Sequence, residues 1–143
     1  MPALIKGRAV IFCYPWTGRP GHADPPDWDT IPGAHGSTPQ AQAYSMACEH
    51  FRSIGVKLFG LSLQDAGWQQ EFATRHGLPF PLLSDAERKF STALGLPSFT
   101  TGGIEYLKRL TLIVCDGVIE AVRFPVLAPE KDAEETLTLL QPR

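Results

Sequence analysis

Only three cysteines occur in the chain, Cys13, Cys48 and Cys115, and no two of them form a C-x-x-C pair. An odd number at wide spacing argues against a disulfide scaffold and against a zinc cluster. Free thiols in a reducing compartment are the expectation. Long apolar runs are missing too: nothing approaches the roughly 20 residues that a helix needs to cross a bilayer. Neither sign of charge dominates, since 13 Lys and Arg face 15 Asp and Glu for a formal net charge of -2. The sequence therefore offers no nucleic-acid footprint and no polybasic membrane patch. Its start, Met1-Pro2-Ala3-Leu4-Ile5-Lys6-Gly7-Arg8, lacks the apolar core and small-residue cleavage site of a signal peptide. A cytoplasmic protein is expected, with neither nucleic acid nor membrane as partner.

What is present has ordinary globular proportions. The 143 residues are 43% hydrophobic and 20% charged, which suits one domain over 1–143 that buries its own core. Ala9 to Tyr14 is a continuous apolar run rich in β-formers, the pattern of a strand covered on both faces. Pro15 ends it. A loop of about twenty residues follows, from Trp16 to Gly36, dense in Gly, Pro, Asp and His; loops of that length are functional or disordered. From Thr38-Pro39 the apolar residues Tyr44, Ala47, Cys48 and Phe51 fall on one helical face. Ser37 or Thr38 suits the N-cap, and Gly55 stops the helix.

Further on, the pattern predicts a strand at 56–63 and a helix at 65–75. A short extended piece at 79–83 and a short helix at 86–94 come next. A strand at 110–114 then turns at Asp116-Gly117 into a partner at 118–126. Pro129 and Glu130 open a last helix, with Ala133, Leu137 and Leu140 inward. Strands alternating with helices imply an α/β, thioredoxin-like fold: a central mixed sheet with helices on both faces. There is no internal repeat. In such a fold the reactive group stands after the first central strand, at the start of the next helix. Free N–H groups and the helix dipole favour an anion there and lower the pKa of a cysteine. Here that place is Gly36-Ser37-Thr38-Pro39.

Five blocks, read in order from about Lys6 onward, resemble one family. They are the strand from Gly7 to Pro15, the loop Ile31-Pro32-Gly33-Ala34-His35-Gly36-Ser37-Thr38-Pro39-Gln40, the triplet Gly60-Leu61-Ser62, the segment from Leu78 to Asp85, and the strand from Lys108 to Val114 with Asp116-Gly117. Together they resemble peroxiredoxins, within them the bacterioferritin-comigratory (Q-type) branch. The resemblance implies a thiol-dependent peroxidase acting on hydrogen peroxide or organic hydroperoxides. In that chemistry a cysteine thiolate attacks the peroxide and becomes a sulfenic acid, which thioredoxin- or glutaredoxin-like dithiols reduce. It implies no cofactor and no metal. By resemblance Ser37 occupies the nucleophile position and Arg109 the arginine position. Thr38 completes the catalytic set, and Pro32, Gly36 and Tyr14 border the substrate. A homodimer is an expectation by the same analogy.

The chain also departs from the family pattern. A serine hydroxyl is a poor nucleophile without an adjacent base. His35 is close, but no sequence feature assigns it that role. The family's threonine three residues before the nucleophile is Ala34 here, which leaves Thr38 and Thr17 as candidate substitutes. The resolving-cysteine position five residues on is Gln42. Two readings of Ser37 remain: a cysteine changed to serine, or natural loss that leaves a non-catalytic binding domain. Cys48, eleven residues beyond Ser37, lies roughly 16 Å along a helix, beyond disulfide reach; Cys48 and Cys13 read as structural, and Cys115 as an incidental edge thiol. His22, Asp24, Asp27, Asp29 and His35 match no metal-ligand template and read as solvated loop polarity. Trp68 reads as core, and Trp28 is left open. Arg109 heading an apolar strand needs an anionic partner or a pocket.

Overall fold

The computed structural model describes residues 6–140, so most of the N-terminal segment read for a leader lies outside the described residues. A five-stranded mixed sheet runs β3-β2-β1-β6-β7. Its strands are β1 (Arg8–Cys13), β2 (Val56–Ser62), β3 (Leu82–Ser84), β6 (Leu110–Cys115) and β7 (Val118–Arg123). β1, β2 and β3 are parallel, while β6 runs antiparallel to both β1 and β7. Among the described residues four α-helices accompany it: α1 (Ser37–Ser53), α2 (Ala66–His76), α3 (Lys89–Leu94) and α4 (Asp132–Leu140). Among the described residues no helix is long and apolar enough to cross a membrane. The fold is thioredoxin-like.

β1 shows why the sheet is covered twice. Side chains alternate along a strand. Val10, Phe12 and Tyr14 enter one cluster with Tyr44 and Phe51 of α1, Phe72 of α2 and Ala133 of α4. Ala9, Ile11 and Cys13 enter the other, with Phe90 of α3 and Leu107. Phe12 is the pivot of the first face. It is fully buried, stacks on Tyr44 at 4.4 Å between ring centroids and meets Phe80 edge-on at 5.6 Å. Phe12→Ala should cost about 3–5 kcal/mol of stability, read as a lower urea midpoint; a loss below 1 kcal/mol would mean that the sheet and α1 close up around the gap.

The Asp116-Gly117 turn is as expected: both residues have positive φ, 49° and 82°, which matches the turn to the twist of β6 and β7. A second hairpin was not anticipated. β4 (Ser98–Thr101) and β5 (Ile104–Leu107) pair antiparallel across Gly102-Gly103, again with both φ positive. The short helix starts at Lys89 rather than at 86, because Arg88 holds φ 62° and the Asp85 carboxylate caps the amides of Phe90 and Ser91.

The long loop before α1 is held by aromatic packing. Trp28 is 4% exposed, meets Trp16 and Tyr106 edge-on at 5.7 and 5.1 Å, and packs on Phe99 of the β4–β5 hairpin. Trp68, expected in the core, is only half-buried; its indole N–H donates to the Thr17 carbonyl at 2.7 Å.

Candidate functional site

Strand register builds the site. β6 pairs with β1 so that Leu110 faces Cys13. Arg109, just ahead of β6, therefore stands beside the end of β1, where the chain leaves for the loop and α1. Gly36 turns that chain into the helix. Its φ of 114° is a region that side chains avoid, and it, not Ser37 or Thr38, is the N-cap. A Cβ there would also stand 2.7 Å from Cγ of Pro129. Gly36→Ala should therefore lose at least about 2 kcal/mol, from backbone strain plus overpacking. A thermal melt reads this directly, and an unchanged midpoint would show that Pro129 gives way freely.

Ser37 is the first residue of α1 and is 5% exposed. Its hydroxyl does not cap the helix but faces Arg109, with Nη2 at 3.2 Å from Oγ. The amides of Ser37 and Thr38 have no acceptor within the helix, and Pro39 carries no N–H. Ser37 thus meets the positive end of a 17-residue helix on one side and a guanidinium on the other.

Arg109 is itself 4% exposed. Nη1 donates to Oε1 of Gln40 at 2.6 Å, while Nη2 also points at the carbonyls of Gly33, Ala34 and His35 at 3.2–3.3 Å. Nε has no partner. Burial pulls its pKa down to about 10, and the Asp132 carboxylate opposes that pull. A cation so enclosed, with no carboxylate in direct contact, stabilises negative charge placed beside it. It borders a cleft of about 560 Å³ with apolar walls from Phe99, Phe124, Val126 and Leu127 and with Lys108 on its lining.

The other residues singled out from the sequence divide. Pro32 lines this cleft. Gly36 shapes the turn. Thr38 is half-buried one residue into the helix, and none of the hydrogen bonds at Arg109 reaches it. Tyr14 is a correction: it lies 1% exposed in the core, and its hydroxyl is spent on Oε1 of Gln69, so it does not border the cleft. Strand alternation turns it toward α2. Thr17 is likewise spent, with its amide and hydroxyl both on Gln64. The His35 ring pairs with Asp29 at 2.6 Å, and the hydroxyl of Ser37 bonds to Arg109 instead.

Asp24, Asp29 and His35 bring ligand-type atoms within 4.8 Å of one another, all three exposed. His22 is elsewhere, edge-on to Trp68. Cys13 and Cys48 are buried, with burial raising the Cys13 thiol far above its ordinary value, and Cys115 is half-exposed. Gln42 is exposed.

Two residues of the site escaped the sequence reading. Gln40 follows Ser37 by one helical turn, and that spacing could have flagged it. Asp132 is fully buried at the start of α4 and accepts hydrogen bonds from Gln40, Tyr44 and Thr111. A charged residue in a first turn reads as a solvated helix end, and nothing in its neighbours says otherwise.

The redoxin family model matches residues 30–137. Peroxiredoxin Q, chloroplastic, from Oryza sativa subsp. japonica is 31% identical over 138 residues, 96% of this chain and 56% of that protein. The chain thus spans little more than half of that relative's length. Among solved structures, peroxidoxin BcpB from Mycobacterium tuberculosis superposes with a TM-score of 0.74 at 23% identity, covering 96% of this chain and 80% of that one. A cysteine-to-serine mutant of PrxQ from Xylella fastidiosa gives 0.74 at 21% identity, covering 94% and 76%. The chain belongs to the redoxin family, where its relatives lie in the peroxiredoxin Q branch.

Proposed function

We propose that the Ser37–Arg109 site is the peroxide site of a thiol-dependent peroxidase, with Ser37 standing where the nucleophilic cysteine acts. The observation that carries this reading is the 3.2 Å approach of the Arg109 guanidinium to the Ser37 hydroxyl at the head of α1. A thiolate there is favoured by both positive partners. Its sulfur attacks one peroxide oxygen, the S–O bond forms as the O–O bond breaks, and the leaving alkoxide or hydroxide takes up a proton. Arg109 stabilises the charge arriving on that leaving oxygen. The sulfenic acid then condenses with an external thiol, releasing water, and a second thiol frees the enzyme as a disulfide departs.

Serine cannot run this cycle, because the two electrons given to the peroxide come from sulfur. With Gln42 at the resolving position, both reducing thiols come from a partner of thioredoxin or glutaredoxin type. A reducing compartment such as the cytoplasm suits three unpaired cysteines. Association of two copies extends the same analogy.

The test compares hydrogen peroxide and cumene hydroperoxide consumption by the chain and by its Ser37→Cys form, each with a dithiol reductant. Turnover by the cysteine form alone supports the proposal. Turnover by neither overturns it in favour of a non-catalytic binding domain. Turnover by the serine chain places the nucleophile elsewhere.

A further inference from the structure

Asp132 holds more hydrogen bonds than any helix end requires. Its Oδ2 accepts from Nε2 of Gln40 at 3.0 Å, the Tyr44 hydroxyl at 2.7 Å and the Thr111 hydroxyl at 2.6 Å. Its Oδ1 accepts from Nε of Arg123 at 3.2 Å and the Thr136 hydroxyl at 3.3 Å. The carboxylate is fully buried and gathers groups from α1, β6, β7 and its own helix.

One of these bonds differs in kind from the others. The hydroxyls can rotate, and Arg123 also reaches Glu135 at 2.9 Å. The Gln40 amide has two chemically opposite ends, and it lies between a carboxylate and a guanidinium. With NH2 toward Asp132 and C=O toward Arg109, both ends are satisfied. Reversed, a carbonyl would meet a carboxylate and an NH2 would meet a guanidinium, leaving buried groups in repulsion. The negative charge of Asp132 therefore selects the orientation in which Gln40 accepts from Arg109. That bond anchors Nη1 and leaves Nη2 on Ser37.

We infer that Asp132 is a positioning residue of the site: through the Gln40 amide its carboxylate fixes the Arg109 guanidinium against residue 37. The inference rests on the peroxidase reading for its catalytic meaning, but the geometry it asserts is measurable without peroxide. It acts at a distance, touching neither substrate nor nucleophile. Thr111 of β6 contributes from two residues beyond Arg109, on the same side of the extended chain, so one short stretch of chain holds both the guanidinium and a donor to the carboxylate.

The test uses the full chain carrying Ser37→Cys and reads the alkylation rate of residue 37 against pH by peptide mass spectrometry, with a thermal melt beside it. A carboxylate that merely contributed its field would raise the thiol pKa, and its removal would lower it. A positioning role demands the opposite sign. Asp132→Asn should raise the thiol pKa by about one unit, a tenfold fall in the thiolate-to-thiol ratio. Gln40→Met, which leaves Asp132 its other four donors, should raise it likewise. Thr136→Val should lower the melting temperature and leave the pKa where it was.

An unchanged or lowered pKa in Asp132→Asn overturns the inference. Should that variant fail to fold, an unchanged pKa in Gln40→Met does the same. If the Ser37→Cys form turns over no peroxide yet these shifts appear, the peroxidase reading fails and the positioning role stands. If it turns over peroxide and the shifts are absent, the reverse holds.

Discussion

The Ser37→Cys form should consume peroxide at least roughly 10³ times faster than the serine chain, because loss of an enzyme's nucleophile removes the step and not merely its efficiency. The structure makes the exchange a mild one. Among the described residues the Ser37 hydroxyl has one polar contact, and that contact is with a cation that a thiolate serves better than a hydroxyl. The helix start and the left-handed Gly36 are backbone features and do not change with the side chain. Folding should therefore survive, and a melt within a few degrees of the parent checks this. Activity gained by less than tenfold would show that the site has lost more than its sulfur.

In that active background, Arg109→Met should lower kcat/KM for peroxide by about 10²- to 10³-fold, the usual effect of removing one preorganised charge-stabilising donor. The loss should fall on kcat as well as KM, since the guanidinium acts on the charge that develops as the O–O bond breaks. Arg109→Lys separates charge from shape. The guanidinium reaches Gln40 with one nitrogen and Ser37 with the other, and an ammonium cannot span both. The lysine form should recover less than a tenth of the lost activity. Full recovery would mean that charge alone matters and that the Gln40 anchor is incidental. Methionine leaves Oε1 of Gln40 without its donor, at a cost of about 1–3 kcal/mol. The buried Nε that now lacks a partner disappears with the same change. The melt should therefore move little beside the change in rate.

Patterns that act over a few residues were readable. The buried β1, the amphipathic face of α1 and the Asp116-Gly117 turn each follow from local composition, and each appears in the structure within a residue or two. Gly102-Gly103 carried the same turn signal, but strands of four residues on either side are too short to show alternation. Tyr14 was misplaced for a different reason. It continues a strand that leads to the site, yet one further residue on a strand reverses the face, and it went to the core. The loop's length and composition mark it as unusual, but what holds it, Trp28 against Tyr106 and Phe99, involves residues more than seventy positions apart.

By itself the sequence determined the order of the helices and of the five strands of the main sheet, the family, and the fact that a hydroxyl stands at the head of α1 where a thiol would be chemically useful. All of these are properties of neighbouring residues or of blocks in order, and they need no knowledge of what touches what. Only the tertiary structure decided that Arg109 comes to Ser37, because the antiparallel register of β6 on β1 sets the start of one strand beside the end of the other. It alone decided that a carboxylate 23 residues beyond that arginine governs it through a glutamine, since hydrogen bonds among buried groups select orientations that no spacing along the chain encodes.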